Sequence, residues 1–100
     1  MPTNLLVQIP DSIEKFCPLL LDFFNGMVKK LDKNSYKDTP TVKAIPEIME
    51  LLMLEIEEFE VQLQTNKFDE NSLIELMDQA NFSFLAYVAL RKQGVKHESK

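Results

Sequence analysis

The sequence predicts an all-α protein, and three observations carry that prediction. Apolar residues recur at spacings of three and four, strong helix formers fill Glu47 to about Gln64 with no Gly or Pro, and no segment reads as a convincing strand. With 100 residues the chain has room for a single domain, spanning 1–100. At 45% hydrophobic and 27% charged residues it has the balance of an ordinary globular protein rather than a disordered one.

The elements follow from local signals. Met1 to Pro10 reads as an extended lead-in. Asp11 is placed to cap a first helix, with Glu14 three residues on as in a capping box. Ile13, Phe16, Leu20, Phe23, Phe24, Met27 and Leu31 supply its apolar stripe, and Pro18 either kinks the helix or restarts it at a first-turn position. The stripe ends at Leu31, so the helix fades through Asp32, Lys33 and Asn34. Asn34 to Pro46 is the longest irregular stretch. Within it Thr39-Pro40 reads as a cap followed by a first-turn proline, and Pro46 opens the second helix in the same way. Thr65, Asn66 and Lys67 break that helix. Asp69 or Asn71 caps a third, which runs to about Gln93 and stops at Gly94.

From Phe82 to Leu90 only Ser83 interrupts a run of apolar residues. A helix apolar around its whole girth is covered on more than one side, which a three-helix monomer cannot manage. The expected architecture is therefore an antiparallel helical hairpin plus an N-terminal helix, assembling into a four-helix-bundle core as a homodimer or homotetramer. The competing arrangement folds the first helix over the third as a lid, using the bend at Pro18.

Charge and composition exclude several roles. A net charge of −5 argues against general nucleic-acid binding. The single Cys17 forms no intrachain disulfide and, with no His near it in sequence, reads as a small buried hydrophobe. No secretory signal is visible and no uncharged apolar run approaches the roughly 20 residues of a membrane helix. A cytoplasmic protein without membrane attachment is the expectation.

The chemistry lies in the acids. Glu55 and Glu58 are three residues apart on the second helix, and Glu75, Asp78 and Asn81 repeat that spacing on the third. The short connection between the helices makes them antiparallel neighbours, so the two acidic pairs sit at comparable heights. Such pairs on an exposed face are commonplace solvated surface. Here the pattern recurs on adjacent helices, and Glu75 and Asp78 interrupt an apolar helix. Converging carboxylates need a cation or raised pKa values, and an oxygen-only donor set suits Mg²⁺, Mn²⁺ or Ca²⁺ better than zinc. Glu57-x-x-Glu60 also fits the first half of the pattern, so Glu57 or Glu60 could replace Glu55 or Glu58.

Glu55-x-x-Glu58 followed by Glu75-x-x-Asp78, with sixteen residues between the pairs, resembles the MazG type of all-α nucleoside triphosphate pyrophosphohydrolase. The resemblance runs from about Phe23 to Gly94. It includes the loop Lys33-Asn34-Ser35-Tyr36-Lys37 and the asparagine one turn after the Asp, Asn81. It departs from better-known members where Thr39-Pro40-Thr41-Val42 stands in place of a loop tryptophan. The resemblance implies cleavage of a nucleoside triphosphate to monophosphate and pyrophosphate. It further implies Mg²⁺ on Glu55, Glu58, Glu75 and Asp78, with Glu55 or Glu58 as the general base. Basic residues must then cover the outer phosphates. Lys33, Lys37, Arg91 and Lys92 are the candidates, against a reading of each as solvated surface charge. Asn81 is placed to hold base or sugar, or to hydrogen-bond Asp78. Two alternatives stay open: a phosphoribosyl-ATP pyrophosphatase-like enzyme, although Gln79-Ala80-Asn81-Phe82 lacks the Tyr-His pair expected there, and a non-catalytic helical interaction module.

Overall fold

The computed structural model describes residues 3–34 and 38–96. Among these residues the protein is all-helical, with helices α1 (Cys17–Lys33), α2 (Ile45–Thr65) and α3 (Glu70–Gln93). Two 3-10 turns, Asp11–Phe16 and Val42–Ala44, lead into α1 and α2. None of these helices is long and apolar enough to cross a membrane.

Proline positions explain both helix starts. Pro18 and Pro46 sit in the first turns of α1 and α2, where the missing N–H costs nothing and the fixed φ is already helical. The restart at Pro18 leaves Asp11–Phe16 as a separate 3-10 turn entered from Pro10, and the expected Asp11/Glu14 capping box does not form. Thr39-Pro40 likewise starts no helix. The chain there stays irregular until the 3-10 turn at Val42.

The hairpin of α2 and α3 is the best-packed part of the molecule. Asn66 closes α2 in the left-handed conformation at φ 53°, which asparagine tolerates, and Lys67 N–H returns to the Gln62 carbonyl at 3.2 Å. Phe59 and Phe68 meet across the connection with ring centroids 6.2 Å apart. Asp69 then caps α3. Its carboxylate accepts from the Asn71 and Ser72 N–H groups at 2.9 and 3.3 Å, and its own N–H donates to the Ser72 hydroxyl at 3.0 Å. At the far end Gly94 takes φ 111°, a left-handed value that stops the helix. The buried residues follow helical spacing, with Ile48 on α2 and Asn81, Leu85 and Ala89 on α3.

Helix α1 lies against α3. Three side-chain contacts from its second half tie it there. Met77 sulfur rests where a Cβ on Gly26 would be, Asn81 reaches the Met27 carbonyl, and Lys30 pairs with Asp78. Residue numbers rise on α1 as they fall on α3 between the last two rungs, so these helices run antiparallel.

Candidate functional site

The two acidic pairs occupy neighbouring faces of the hairpin. Glu55, Glu75 and Asp78 are half-buried and Glu58 is exposed. Glu55 is held above the ordinary carboxylate range by burial first, then by the charges of Glu58, Asp78 and Glu75, with Lys30 pulling the other way. Glu75 is raised by burial, then by Glu58, Asp69 and Asp78, and is eased by a hydrogen bond from Gln62. Each half-buried glutamate thus feels acids from both helices. Glu57 and Glu60 are exposed, and neither figures among the charges acting on Glu55 or Glu75.

A cation and an amide donor stand among these acids, and neither is among the candidates the sequence offers for the site. Lys30 reaches in from α1, its Nζ 2.7 Å from Asp78 Oδ1. One lysine therefore links charges on all three helices, pairing with α3 and tempering Glu55 on α2. Its signal was available, because three residues after Met27 and beside Leu31 a side chain falls on the inner flank of the stripe. Gln62 continues the 55, 58, 62 spacing along α2. It donates from Nε2 to Glu75 Oε2 at 2.8 Å, and its Oε1 accepts from the buried Ser72 hydroxyl. The cap of α3 is thereby connected through Ser72 and Gln62 to Glu75.

Asn81 is the most informative polar residue. It is 7% exposed, and its Nδ2 donates to the Met27 carbonyl at 3.3 Å. A carbonyl can only accept, which fixes the orientation of the amide. Asn81 Oδ1 is left buried without a hydrogen-bond partner, one helical turn from Asp78. An orphaned acceptor of this kind costs about 1–3 kcal/mol and invites a donor or a cation.

The remaining sequence candidates are dispersed. Lys33 is exposed at the end of α1, one turn beyond Lys30. Lys37 lies outside the described residues. Arg91 and Lys92 occupy the last turn of α3, where they favour its negative pole. At 1.5 Å per residue they stand about 20 Å along the helix from Asp78, so this chain does not bring them to the acids. Lys92 donates instead to the Thr39 hydroxyl and borders an open cleft with Thr41, Val42 and Ala89.

Among the described residues no three acidic, histidine or cysteine side chains are drawn together closely enough to hold a metal ion. Lys30 pairs with Asp78 and Gln62 donates to Glu75. The donors present are carboxylate oxygens, of which Glu55 and Glu75 are raised by burial and by neighbouring acids, and the Asn81 amide oxygen, buried without a partner one helical turn from Asp78; oxygen donors of this kind are the type that hard divalent cations take. Comparison with known proteins found no matching family model, no matching curated protein and no matching solved structure.

Proposed function

We propose that this protein is a Mg²⁺-dependent nucleoside triphosphate pyrophosphohydrolase of the MazG type, acting as a homo-oligomer. The observation that supports it best is that Glu55 on α2 and Glu75 on α3 are each raised by burial and by acids of the facing helix, Glu55 by Asp78 and Glu75, and Glu75 by Glu58. Mg²⁺, with Mn²⁺ as a substitute, would be held by these four and would offset the negative charge of the phosphate oxygens. Glu55 or Glu58 accepts the proton of the attacking water. Water adds to the α-phosphorus, the α–β phosphoanhydride bond breaks, and the oxygen of the leaving pyrophosphate takes up the electron pair. Lys33 and Lys30, on one turn of α1, supply positive charge for the outer phosphates. Asn81 Oδ1, buried without a partner, is the acceptor that would meet a donor of the substrate or the cation.

A second reading is a non-catalytic helical module, favoured by the large apolar surface that the single chain leaves exposed. Pyrophosphate release across ribo- and deoxyribonucleoside triphosphates separates the two. With Mg²⁺, the wild type turns over and Glu58→Gln and Asp78→Asn lose roughly a hundredfold or more in rate while keeping their helical spectrum, the scale of losing an acid–base or metal-holding group. Equal turnover in both variants removes the acids from the chemistry, and no turnover with any triphosphate leaves the module reading.

A further inference from the structure

Gln62 stands on the acids' own face of α2, four residues after Glu58 and seven after Glu55. An amide thus follows where a third acid would continue the row. Its backbone is fixed by the end of the helix, where the Gln62 carbonyl accepts from Lys67 N–H at 3.2 Å. Its side chain is fixed by the α3 cap. The buried Ser72 hydroxyl accepts from Asp69 N–H at 3.0 Å, a group that can only donate, and gives its single proton to Gln62 Oε1. Gln62 Nε2 is then turned to Glu75 Oε2, 2.8 Å away. The reversed amide would set an oxygen against a carboxylate oxygen.

The partners of Asp78 and Glu75 differ in kind. Asp78 meets an ammonium, which repels an incoming cation and has to move aside for it. Glu75 meets a neutral amide, which has no charge with which to compete. The amide occupies Oε2, and Oε1 accepts no hydrogen bond among the described residues. Gln62 can therefore stay in place while Oε1 takes up a ligand. A half-buried glutamate that turns freely loses rotamer freedom when it binds, and one already held by a neighbour has less to lose. Every link of this chain of hydrogen bonds, from Asp69 N–H to Glu75, lies at the closed end of the hairpin, where the turn and the α3 cap are tightly bonded.

We propose that Gln62 is a positioning residue of the hydrolase site: with Ser72 fixing its amide, it holds the Glu75 carboxylate by Oε2 and keeps Oε1 available to the divalent ion. This role rests on the hydrolase reading. Gln62 touches neither ion nor substrate and acts only through Glu75. Removing its donor leaves Glu75 in the chain but free to turn, so the loss falls on ion binding and, through it, on turnover.

The test is calorimetric titration of the full chain with Mn²⁺, without nucleotide, beside pyrophosphate release. Gln62→Met, similar in length but with no donor, is expected to bind Mn²⁺ about tenfold or more weakly, the usual scale for removing the partner of a metal-holding group. Ser72→Ala disturbs the α3 cap but keeps the Gln62–Glu75 bond, and is expected to weaken Mn²⁺ binding by about threefold at most. A merely structural role would make the two variants weaken Mn²⁺ binding alike, and that result overturns the proposal. Gln62→Met binding within about twofold of wild type overturns it as well. If Gln62→Met does not fold, NMR of the wild type decides the matter. The Gln62 side-chain amide is expected to keep the proton shifts of a hydrogen-bonded amide when Mg²⁺ is added, and their return to free-amide positions overturns the proposal. A wild type that binds no Mn²⁺ and releases no pyrophosphate from any nucleoside triphosphate defeats the hydrolase reading, and the positioning role with it. A wild type that does both, matched by Gln62→Met, defeats the positioning role alone.

Discussion

Replacing Lys30 by Met is predicted to weaken the metal-free protein and strengthen its hold on divalent ions. The side chains of Lys30 and Asp78 are 33% and 21% exposed with 2.7 Å between the charged atoms, so the pair lies between surface and interior. Exposed pairs contribute about 0.2–1 kcal/mol, and removing one partner of a fully buried pair costs about 3–5 kcal/mol. Solvent screening at this exposure puts the loss near 1–2 kcal/mol. For a chain of this length that is roughly a 5–10 °C fall in melting temperature, measured in chelator. The opposite effect follows from charge. A divalent ion about 5 Å from the ammonium is repelled by about 1.7 kcal/mol even at the dielectric of water, so Lys30→Met should tighten Mn²⁺ binding about tenfold or more. Calorimetric titration with Mn²⁺ measures the second arm. A variant as stable as wild type in chelator, or one that binds Mn²⁺ no more tightly, would refute the view that this lysine is the cluster's resident counter-ion.

The other predictions use the same neighbourhood. Asn81→Leu removes the orphaned acceptor, and the Met27 carbonyl keeps its place within α1. Urea unfolding should therefore show stability unchanged or raised by about 1 kcal/mol, while pyrophosphate release is lost. Ser72→Ala deletes the hydroxyl shared by the α3 cap and Gln62 and should cost about 1–2 kcal/mol in urea unfolding. The pH dependence has a defined sign. Glu55 and Glu75 are raised above 4.5, so the folded state holds their protons to higher pH than the unfolded chain does. Their contribution is complete below pH 4.5 and is lost as pH rises through the raised values. Melting in chelator should show this decline flattened in Glu55→Gln, and an unchanged slope would contradict the burial and charge assigned to Glu55.

Chain-local signals carried most of the secondary structure. Pro46 placed the start of α2, Asn66 the break, Asp69 the cap and Gly94 the stop, because each acts through its own φ or its own side chain on adjacent backbone. The failures at Asp11/Glu14 and Thr39-Pro40 have a common cause. A capping residue needs a helix to cap, and in both places a proline further along, Pro18 or Pro46, is where the helix starts.

The four acids were visible as spaced pairs because three residues span nearly one helical turn, a property of the helix alone. The lysine and the amide that meet them were settled only by how the helices pack. Lys30 is 48 residues from Asp78 in sequence, and nothing local specifies which face of α1 meets α3. The separation of Arg91 and Lys92 from the acids depended only on helix length and was therefore computable beforehand, whereas the orphaned oxygen of Asn81 required both helices in place. The sequence by itself thus determined the helices, their ends and the acidic spacing, since these rest on interactions within about four residues. Tertiary structure alone decided which charges meet, which acceptor is stranded and which apolar surface the chain cannot cover, because those depend on desolvation between segments that the chain order does not make neighbours.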